Sequence, residues 1–557
     1  MNPDPEQRPE HTQSMPIDGQ VLKHLVEASL TWLRANQQTV NSLNVFPVPD
    51  GDTGTNMVLT MQSAYNEIDD LAYRGVGQMA AAVSQGALMG ARGNSGVILS
   101  QIWRGFARAL HNQEVLDGYN LVKAFAEARD TAYKGVVRPV EGTILTVAKD
   151  VATAAAEVFE QTQDPYEILS RIVPAADASV QRTPELLPVL KQAGVVDSGG
   201  KGLFYILEGM ARFIAGEPLD APVAAVQPLS AMVLENTKEA IEPGQDYEVV
   251  VDFVPSKELD LPRFYGELEK MGTSIQVGEG DGMYRMHIHV PTEKRYEPVD
   301  YVMGLGTITK IAMENLIAQM DAMRHKSGRD RLELASIEPG QIAVVAVSPG
   351  PGISRVFASL GAAAIVEGGQ TMNPSTQDIL TAFENLPTDK VIILPNNKNI
   401  ILAAQQAKEV TVKKVQLIPS RSIPQGLAAM MHLNPDGNLE AVAAKMTKAI
   451  DDVITIEITT ATRSVEIDGV AVEEGQVIAL VDGALAISSR SVEETCMKAL
   501  EKIGAGQHEL ITLFYGKDLS SVEANRIADV IRATYATQEI EIQDGGQPHY
   551  QFIISVE

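Results

Sequence analysis

Two carboxylates stand two residues apart in the segment Asn44-Val-Phe-Pro-Val-Pro-Asp50-Gly-Asp52-Thr-Gly-Thr-Asn56. Mg²⁺ binds oxygen ligands and is usually held by one or two carboxylates together with substrate phosphates. The glycine between Asp50 and Asp52 accepts unusual backbone angles, and the two preceding prolines prevent a helix from running into the segment. An acidic Asp-Gly turn has the same residues. The spacing is therefore compatible with a magnesium site and with a plain turn.

The residues after Asp52 predict the start of a helix. Met57 and Met61 begin an apolar helical face, which places Thr53 and Asn56 in the first turn. The free N–H groups and the dipole at a helix start favour anions such as phosphate. A helix that begins directly after a carboxylate pair is thus a candidate site for a metal-bound phosphate.

Three further loops have the same character, because each offers hydroxyls or bare N–H groups and precedes a predicted helix. They are Gly90-Ala-Arg92-Gly93-Asn94-Ser95-Gly96, Glu141-Gly142-Thr143 and Asp197-Ser198-Gly199-Gly200-Lys201-Gly202. Any one of them is also what an ordinary N-cap looks like. Four such starts in one helical region, beside two carboxylates, predict a polyphosphate site. Neither a Walker A sequence nor a Rossmann fingerprint is present.

The amino-acid composition disfavours some classes of function and excludes some kinds of site. The chain has 557 residues, with 45 Lys and Arg against 72 Asp and Glu, for a formal charge of −27. A surface this acidic disfavours nucleic-acid binding and is typical of a soluble protein. Cys496 is the single cysteine, which excludes an intramolecular disulfide and a multi-cysteine zinc site. No signal peptide or membrane span is predicted, so a cytoplasmic location is expected.

A chain of this length is expected to form several domains. We expect a disordered tail over 1–16, an all-α domain over 17–216, a linker over 217–244, a small α+β middle domain over 245–325 and an α/β region over 338–557. The middle domain is expected to contain strands at 247–254 and 283–290 and a helix near 308–323. Short apolar strands at 342–347, 390–394 and 414–418 alternate with helical stretches, which predicts a largely parallel sheet. The chain is expected to end in a hairpin.

The four motifs together resemble the ATP-binding domain of dihydroxyacetone kinases, in the version found in bacterial fatty acid kinase subunits. The segments Gly368-Gly-Gln370-Thr-Met-Asn373-Pro-Ser375, Leu394-Pro-Asn-Asn-Lys-Asn399 and Ser422-Ile-Pro-Gln-Gly426 are also similar to those of such subunits. The resemblance implies an antiparallel eight-helix barrel over 17–216, with ATP and two Mg²⁺ ions at one rim.

The same resemblance implies roles for individual residues. Asp50 and Asp52 are the expected metal ligands, and Asn44 lies near a third ligand position, which is Asp in dihydroxyacetone kinases. The residues expected to contact the nucleotide are Thr53, Asn56, Gly93, Asn94, Ser95, Thr143, Asp197, Ser198 and Gly199. The resemblance also implies that a separate fatty-acid-binding protein presents the acyl chain, that the product is an acyl phosphate, and that the protein is a homodimer.

The predicted strand Tyr284-Arg-Met-His287-Ile-His289-Val290 alternates strictly, so its two histidines share one face. They can bind a metal, contact a phosphate or lie on a solvated face. By resemblance His287 and His289 have a functional role, either catalytic on the transferred phosphate or as ligands of zinc, with Glu248 in the place of a missing cysteine.

Three C-terminal loops, at 368–375, 396–399 and 420–422, are expected to line one docking surface at the carboxyl ends of the sheet. Each could also be a simple turn with a helix cap.

The leading hypothesis is therefore a kinase subunit that phosphorylates a protein-bound fatty acid. Small-ketose phosphorylation, as in glycerone kinases, and a non-enzymatic nucleotide-binding regulator are the alternatives.

Overall fold

The computed structural model describes residues 17–44, 51–136, 138–219, 246–257, 259–280, 283–315, 332–370, 372–461, 464–467 and 470–557, together with the backbone of 227–228. Asp50, the tail over 1–16 and most of the linker over 217–244 lie outside these residues. Among the described helices, none is both long and apolar enough to cross a lipid bilayer.

The described residues between 19 and 215 are mainly helical, as the sequence predicts. The helices are α1 Gly19–Ala35, α2 Gln37–Ser42, α3 Thr53–Ile68, α4 Val76–Met89, α5 Gly93–Ala109, α6 Gly118–Lys134, α7 Ile144–Phe159, α8 Pro165–Leu186, α9 Pro188–Ala193 and α10 Ser198–Ala215. Helices α2 and α9 are short, and the other eight are long.

The eight long helices form a closed ring. Each packs on the next in the order α1, α3, α4, α5, α6, α7, α8 and α10, and α10 packs back on α1. Their inward faces share one apolar core, which includes Leu25, Met61, Leu99 and Leu207. The predicted eight-helix barrel is thus confirmed. Helices α3, α5, α7 and α10 are every second member of the ring.

The described residues of the middle domain form one sheet and two α-helices. Its elements are β1 Gln227–Pro228, β2 Tyr247–Pro255, α11 Leu261–Leu268, β3 Thr273–Gly280, β4 Met283–Val290, α12 Glu297–Met303 and β5 Gly306–Asn315, with strand order β1-β3-β4-β2-β5. Met286 and Ile288 of β4 pack in the core with Phe264 of α11. His287 and His289 therefore share the opposite face, as the alternation predicts.

The prediction of a helix near 308–323 is wrong for its described residues, because residues 306–315 form strand β5. The segment Gly306-Thr-Ile-Thr-Lys-Ile311 is rich in β-branched residues, which favour strands. It pairs antiparallel with β2 along nearly its whole length. Residues 316–323 lie outside the described residues.

The first part of the C-terminal region is the predicted parallel α/β sheet. Its elements are β6 Ile342–Ser348, α13 Pro351–Ser359, β7 Ala364–Glu367, α14 Thr376–Glu384, β8 Lys390–Leu394, α15 Ile401–Val410, β9 Lys414–Leu417, α16 Ile423–Met430 and α17 Leu439–Ala449. The strand order is β7-β6-β8-β9, all parallel. Every residue of β6 is buried, as expected for a strand covered on both faces.

The second part is a mixed sheet. Its elements are β10 Ile454–Thr460, β11 Val465–Ile467, β12 Val470–Val472, β13 Val477–Val481, β14 Ala484–Ser489, α18 Val492–Lys502, β15 Leu510–Tyr515, α19 Ser521–Thr534, β16 Glu539–Asp544 and β17 Tyr550–Val556. The strand order is β14-β13-β10-β17-β15-β16, and β11 pairs with β12 separately. The predicted terminal hairpin is wrong, since β16 and β17 both pair with β15, which lies between them.

The described chain separates into two compact units. One unit contains the helical barrel and the C-terminal α/β region, and the other contains the middle domain. Within the first unit, Ala91 and Val97 share an apolar cluster with Val345, Phe383 and Ala404 of the α/β region. The barrel and the α/β region are therefore packed against each other.

Candidate nucleotide and metal sites

The first turns of four barrel helices meet at one rim. Ser198 Oγ, at the start of α10, donates to Thr53 Oγ1, at the start of α3, at 3.2 Å. A Cβ placed on Gly93, the first residue of α5, would lie 2.6 Å from Asn56 Nδ2 of α3. A Cβ on Gly199 would lie 3.4 Å from the Cβ of Ile144, where α7 begins. The positive ends of four helix dipoles thus converge on one place.

Asp52 lies at this rim. It is the N-cap residue of α3, but its side chain does not cap the helix. Asp52, Thr53 and Asn56 are all buried, with 5 to 7% of their surface exposed. A buried carboxylate needs hydrogen bonds or a cation to offset the loss of water. Asn44 is half-buried.

Two of the predicted nucleotide residues are helix caps in this structure. Thr143 Oγ1 accepts from Leu145 N at 3.3 Å and donates to Val140 O at 2.8 Å, and so caps α7. Asp197 Oδ2 accepts from Gly200 N at 2.6 Å and caps α10. Burial raises the pKa of Asp197 to about 6, although the Gly200 hydrogen bond acts in the other direction.

The remaining predicted residues lie on α5. Asn94 and Ser95 are half-buried in its first turn, and the N-cap residue Arg92 makes no side-chain cap. Asn94 Nδ2 donates to Asn399 Oδ1 of the α/β region at 3.3 Å. The rim is therefore shared with residues from the C-terminal half of the chain.

Asn373 also lies at this rim, although the sequence did not single it out as a site residue. It lies between β7 and α14, and its Nδ2 donates to Asp52 Oδ2 at 2.5 Å. Asn373 is 3% exposed, and its Oδ1 is buried without a hydrogen-bond partner. The signal in the sequence was its place in a polar loop at the carboxyl end of a parallel strand.

Side-chain hydrogen bonds connect the three loops that were predicted to line one surface. Ser420 Oγ donates to Asn396 Oδ1 at 2.7 Å, and Asn397 Nδ2 donates to Gln370 Oε1 at 2.9 Å. Carboxyl ends of parallel strands meet at one edge, which explains the contact. Part of this edge contacts the barrel through Asn373 and Asn399.

A second cluster lies in the middle domain. Glu248 of β2 stands opposite His289 of β4 in the strand register, and Glu248 Oε1 is 2.8 Å from His287 Nε2. One ligand atom from each of Glu248, His287 and His289 lies within 4.8 Å of the other two. His287 is buried, and the hydrogen bond from His287 lowers the pKa of Glu248.

This cluster fits a zinc ion chemically, because two imidazoles and a carboxylate are a common ligand set for Zn²⁺. The sequence-based choice of Glu248 as the partner of the two histidines is consistent with this geometry. Cys496 lies in the core of the α/β region, where burial raises the pKa of its thiol far above the ordinary value.

Known proteins match this chain over nearly its whole length. Residues 47–212 match the model of the DAK2 domain, residues 242–323 that of the FakA-like middle domain of fatty acid kinases, and residues 343–557 that of the FakA-like C-terminal domain. Protein YloV of Bacillus subtilis (strain 168) is 38% identical over 551 residues, which cover 97% of this chain and 99% of that protein. The chain belongs to the FakA-like fatty acid kinase family.

Other relatives show the same coverage. An uncharacterised protein of Staphylococcus aureus (strain USA300) is 37% identical over 550 residues, which cover 97% of this chain and 99% of that protein. The three-domain architecture of the family is therefore present here, and its domains are those of a kinase: a fatty acid kinase subunit or a dihydroxyacetone-kinase-like protein.

Two solved structures are similar to parts of this family member. Dihydroxyacetone kinase of C. freundii in complex with AMP-PNP and Mg²⁺ has a TM-score of 0.28 at 18% identity, covering 38% of this chain and 37% of that one. The fatty acid kinase B3 protein of Streptococcus pneumoniae, loaded with linoleic acid, has a TM-score of 0.28 at 14% identity, covering 39% of this chain and 99% of that one. At such scores neither likeness supports a conclusion about function.

Proposed function

We propose that this protein is the ATP-dependent subunit of an acyl kinase. It transfers the γ-phosphoryl group of Mg-ATP to the carboxylate of a fatty acid that a separate fatty-acid-binding protein presents. The products are an acyl phosphate and ADP. The observation that carries the proposal is the meeting of four helix starts around the buried carboxylate of Asp52, in a chain of this family.

The rim has the chemistry that a metal-bound polyphosphate requires. Helix N-termini bind phosphate oxygens, and carboxylate and amide oxygens bind Mg²⁺. The acceptor atoms of Asp52 and Asn373 at the rim are all oxygens, and Asn373 Oδ1 has no hydrogen-bond partner. The residues present therefore fit Mg²⁺ better than a soft metal.

Each predicted residue has a role in this proposal. Asp50, Asp52 and Asn44 hold the metal, and the first turns of α3 and α5 bind phosphate oxygens through Thr53, Asn56, Gly93, Asn94 and Ser95. Thr143, Asp197, Ser198 and Gly199 form the wall of the rim nearest α7 and α10. Mg²⁺, when bound, neutralises charge on the phosphates.

A fatty acid carboxylate needs no general base to become a nucleophile. A carboxylic acid whose pKa resembles that of a Glu side chain, about 4.3, is already ionised at neutral pH, so no proton has to be removed before attack. Positioning and charge neutralisation then carry the phosphoryl transfer. The hydroxyl of a small ketose would need a base.

The middle domain contributes either a zinc site or a group that acts on phosphate. Replacing His287 by Ala and measuring both bound zinc and phosphoryl transfer separates these roles. Loss of transfer with unchanged metal content would support a catalytic role for His287 and His289. Loss of metal together with thermal stability would support structural zinc bound by Glu248 and both histidines.

Small-ketose phosphorylation is the second candidate, because residues 47–212 match the DAK2 domain. One experiment decides between the two. The purified protein is incubated with Mg-ATP and either dihydroxyacetone or a fatty-acid-loaded binding protein, and acyl phosphate is trapped with hydroxylamine. Hydroxamate formed only with the loaded binding protein is expected. Ketose turnover without hydroxamate would reject the proposed function. The homodimer and the cytoplasmic location stay predictions.

A further inference from the structure

The loop between β7 and α14 reaches from the α/β region into the nucleotide rim. Its residue Asn373 lies 321 positions from Asp52 in the sequence, yet the two side chains are hydrogen-bonded at 2.5 Å and both are buried. A Cβ on Gly93 would lie 3.4 Å from Asn373 Nδ2, so this amide also stands beside the start of α5. Asn373 therefore belongs to the same site as Asp52 and Asn56.

The position of Asn373 is fixed by several contacts around it. Arg92 Nη1 donates to Asn373 O at 3.0 Å and lies 3.3 Å from Asp378 Oδ2 of α14. Thr376 N donates to Ala91 O at 3.2 Å. Polar contacts of both backbone and side chains, together with the apolar cluster around Ala91, hold the loop against the barrel. These contacts together hold the Asn373 side chain in one position.

The hydrogen bond to Asp52 decides which way the Asn373 amide points. A carboxylate only accepts hydrogen bonds, so the NH₂ group must face Asp52, and the carbonyl oxygen faces elsewhere. That oxygen is buried and has no hydrogen-bond partner. A buried acceptor without a hydrogen-bond partner destabilises the folded state, because it has lost its hydrogen bonds to water. A group that supplies positive charge or a proton donor would remove this destabilisation.

The chemistry of the free oxygen limits what can bind it. An amide oxygen is an acceptor, so it repels phosphate oxygens and attracts a cation or a donor. Beside a buried carboxylate, a hard divalent cation is the strongest partner, since Mg²⁺ and Mn²⁺ prefer carboxylate and carbonyl oxygens.

We propose that Asn373 Oδ1 is a ligand of the divalent cation that Asp52 binds, while its NH₂ group holds Asp52 in place. The α/β region then forms part of the metal site and is more than a docking module. This inference rests on the nucleotide half of the proposed function and is independent of the phosphoryl acceptor.

Full-length protein with Asn373→Ala, Asn373→Asp or Asn385→Ala provides the test. Asn385 is an exposed asparagine of the same domain and serves as the matched control. Mn²⁺ binding is followed by electron paramagnetic resonance, and AMP-PNP binding by calorimetry over a range of Mg²⁺ concentrations. Circular dichroism confirms that each variant is folded.

The Ala variant is expected to weaken Mn²⁺ binding at least about tenfold, as loss of a group that orients or completes a metal site commonly does. The Asp variant retains an oxygen at this position but cannot donate to Asp52. It is expected to bind Mn²⁺ at least as well as the wild type and to melt at a lower temperature without metal, because two carboxylates then face each other. Asn385→Ala should match the wild type.

Unchanged Mn²⁺ affinity in Asn373→Ala would overturn the inference. Equal weakening in the Ala and Asp variants would also overturn it, since Asn373 would then act only as a donor or hold a water molecule. If Asn373→Ala does not fold, the result for Asn373→Asp decides by itself. Wild-type protein that binds neither Mn²⁺ nor AMP-PNP would overturn the proposed function too. Normal binding without hydroxamate would reject only the acyl acceptor.

Discussion

Asp197 is a carboxylate that both caps a helix and resists ionisation. It caps α10 through Gly200 N, while burial raises its pKa to about 6 from an ordinary value of 3.8. The folded protein therefore binds a proton at this group between about pH 4 and pH 6, where the unfolded chain has already lost it. Stability rises with pH only where the unfolded state binds more protons, so this group makes the folded state less stable as pH rises through that window.

Asp197→Asn is expected to remove this pH dependence, because Asn caps helices as well as Asp does. The wild type should lose about 1 to 2 kcal/mol of unfolding free energy relative to the variant between pH 4 and pH 7, after allowance for partial solvent contact. Urea denaturation at both pH values measures the difference. Asp117→Asn, at the exposed cap of α6, is the control and should show no such change. An unchanged difference across this range would contradict the raised pKa.

Glu248 is the carboxylate of the middle-domain cluster, and its contact with His287 places it where a third metal ligand would lie. We expect the wild type to bind one equivalent of Zn²⁺, and Glu248→Gln to bind it at least about tenfold more weakly, because a neutral amide is a poorer zinc ligand than a carboxylate. Competition with a chromophoric chelator measures the affinity. Glu293→Gln, at an exposed site of the same domain, is the control. Equal affinity in the two variants would remove Glu248 from the ligand set.

At the scale of the element, α5 begins at Gly93, and any other residue at this position is expected to destabilise the start of the helix. Gly93 has φ of +56°, in the left-handed region, and a Cβ added there would lie 2.6 Å from Asn56 Nδ2. Gly216, at the end of α10, has φ of +66°, but a Cβ added there would meet nothing within 4 Å. Any other residue would be strained at both positions, but only at position 93 would its Cβ also meet a neighbouring side chain.

Gly93→Ala is expected to reduce AMP-PNP affinity about tenfold or more, because the new methyl group must displace Asn56 from the rim. Gly216→Ala should cost only the strain of about 1 to 2 kcal/mol in stability and leave nucleotide binding unchanged. Calorimetric titration and thermal melts of both variants make the comparison. Normal nucleotide affinity in Gly93→Ala would argue against α5 as a phosphate-binding helix.

At the scale of the whole molecule, the barrel and the α/β region share one apolar cluster. Val97 of α5 is 2% exposed and packs there with residues of the parallel sheet and its helices. Because Ala91 and Val97 of the barrel are buried among residues of the α/β region, we expect the two domains to unfold in one cooperative transition.

Val97→Asp is expected to separate that transition into two, since a buried unpaired carboxylate disrupts the shared cluster. Differential scanning calorimetry of the full chain measures the transitions. Val412→Asp, at a position 99% exposed in the α/β region, is the matched control and should keep the wild-type profile. A single transition in Val97→Asp would show that the cluster does not couple the domains.

The sequence by itself determined the features that depend on local spacing. Helix starts, the alternation of β4 and the strand-helix rhythm after residue 338 follow from periodicity and capping residues, and they were predicted with the three-domain organisation. The predicted helix near 308–323 was wrong at 306–315, where the β-branched residues favour a strand that pairs with β2. The predicted terminal hairpin was also wrong, because β15 lies between two strands that are neighbours in the sequence.

Only the tertiary structure decided which distant residues meet. The closed ring of helices brought four separate loops to one rim, and packing of the α/β region placed Asn373 on Asp52. No periodicity within either segment encodes that contact, because it depends on how two apolar surfaces fit together. The sequence therefore predicted a polyphosphate site beside Asp52, while the structure alone showed that a residue from the C-terminal half of the chain contacts Asp52.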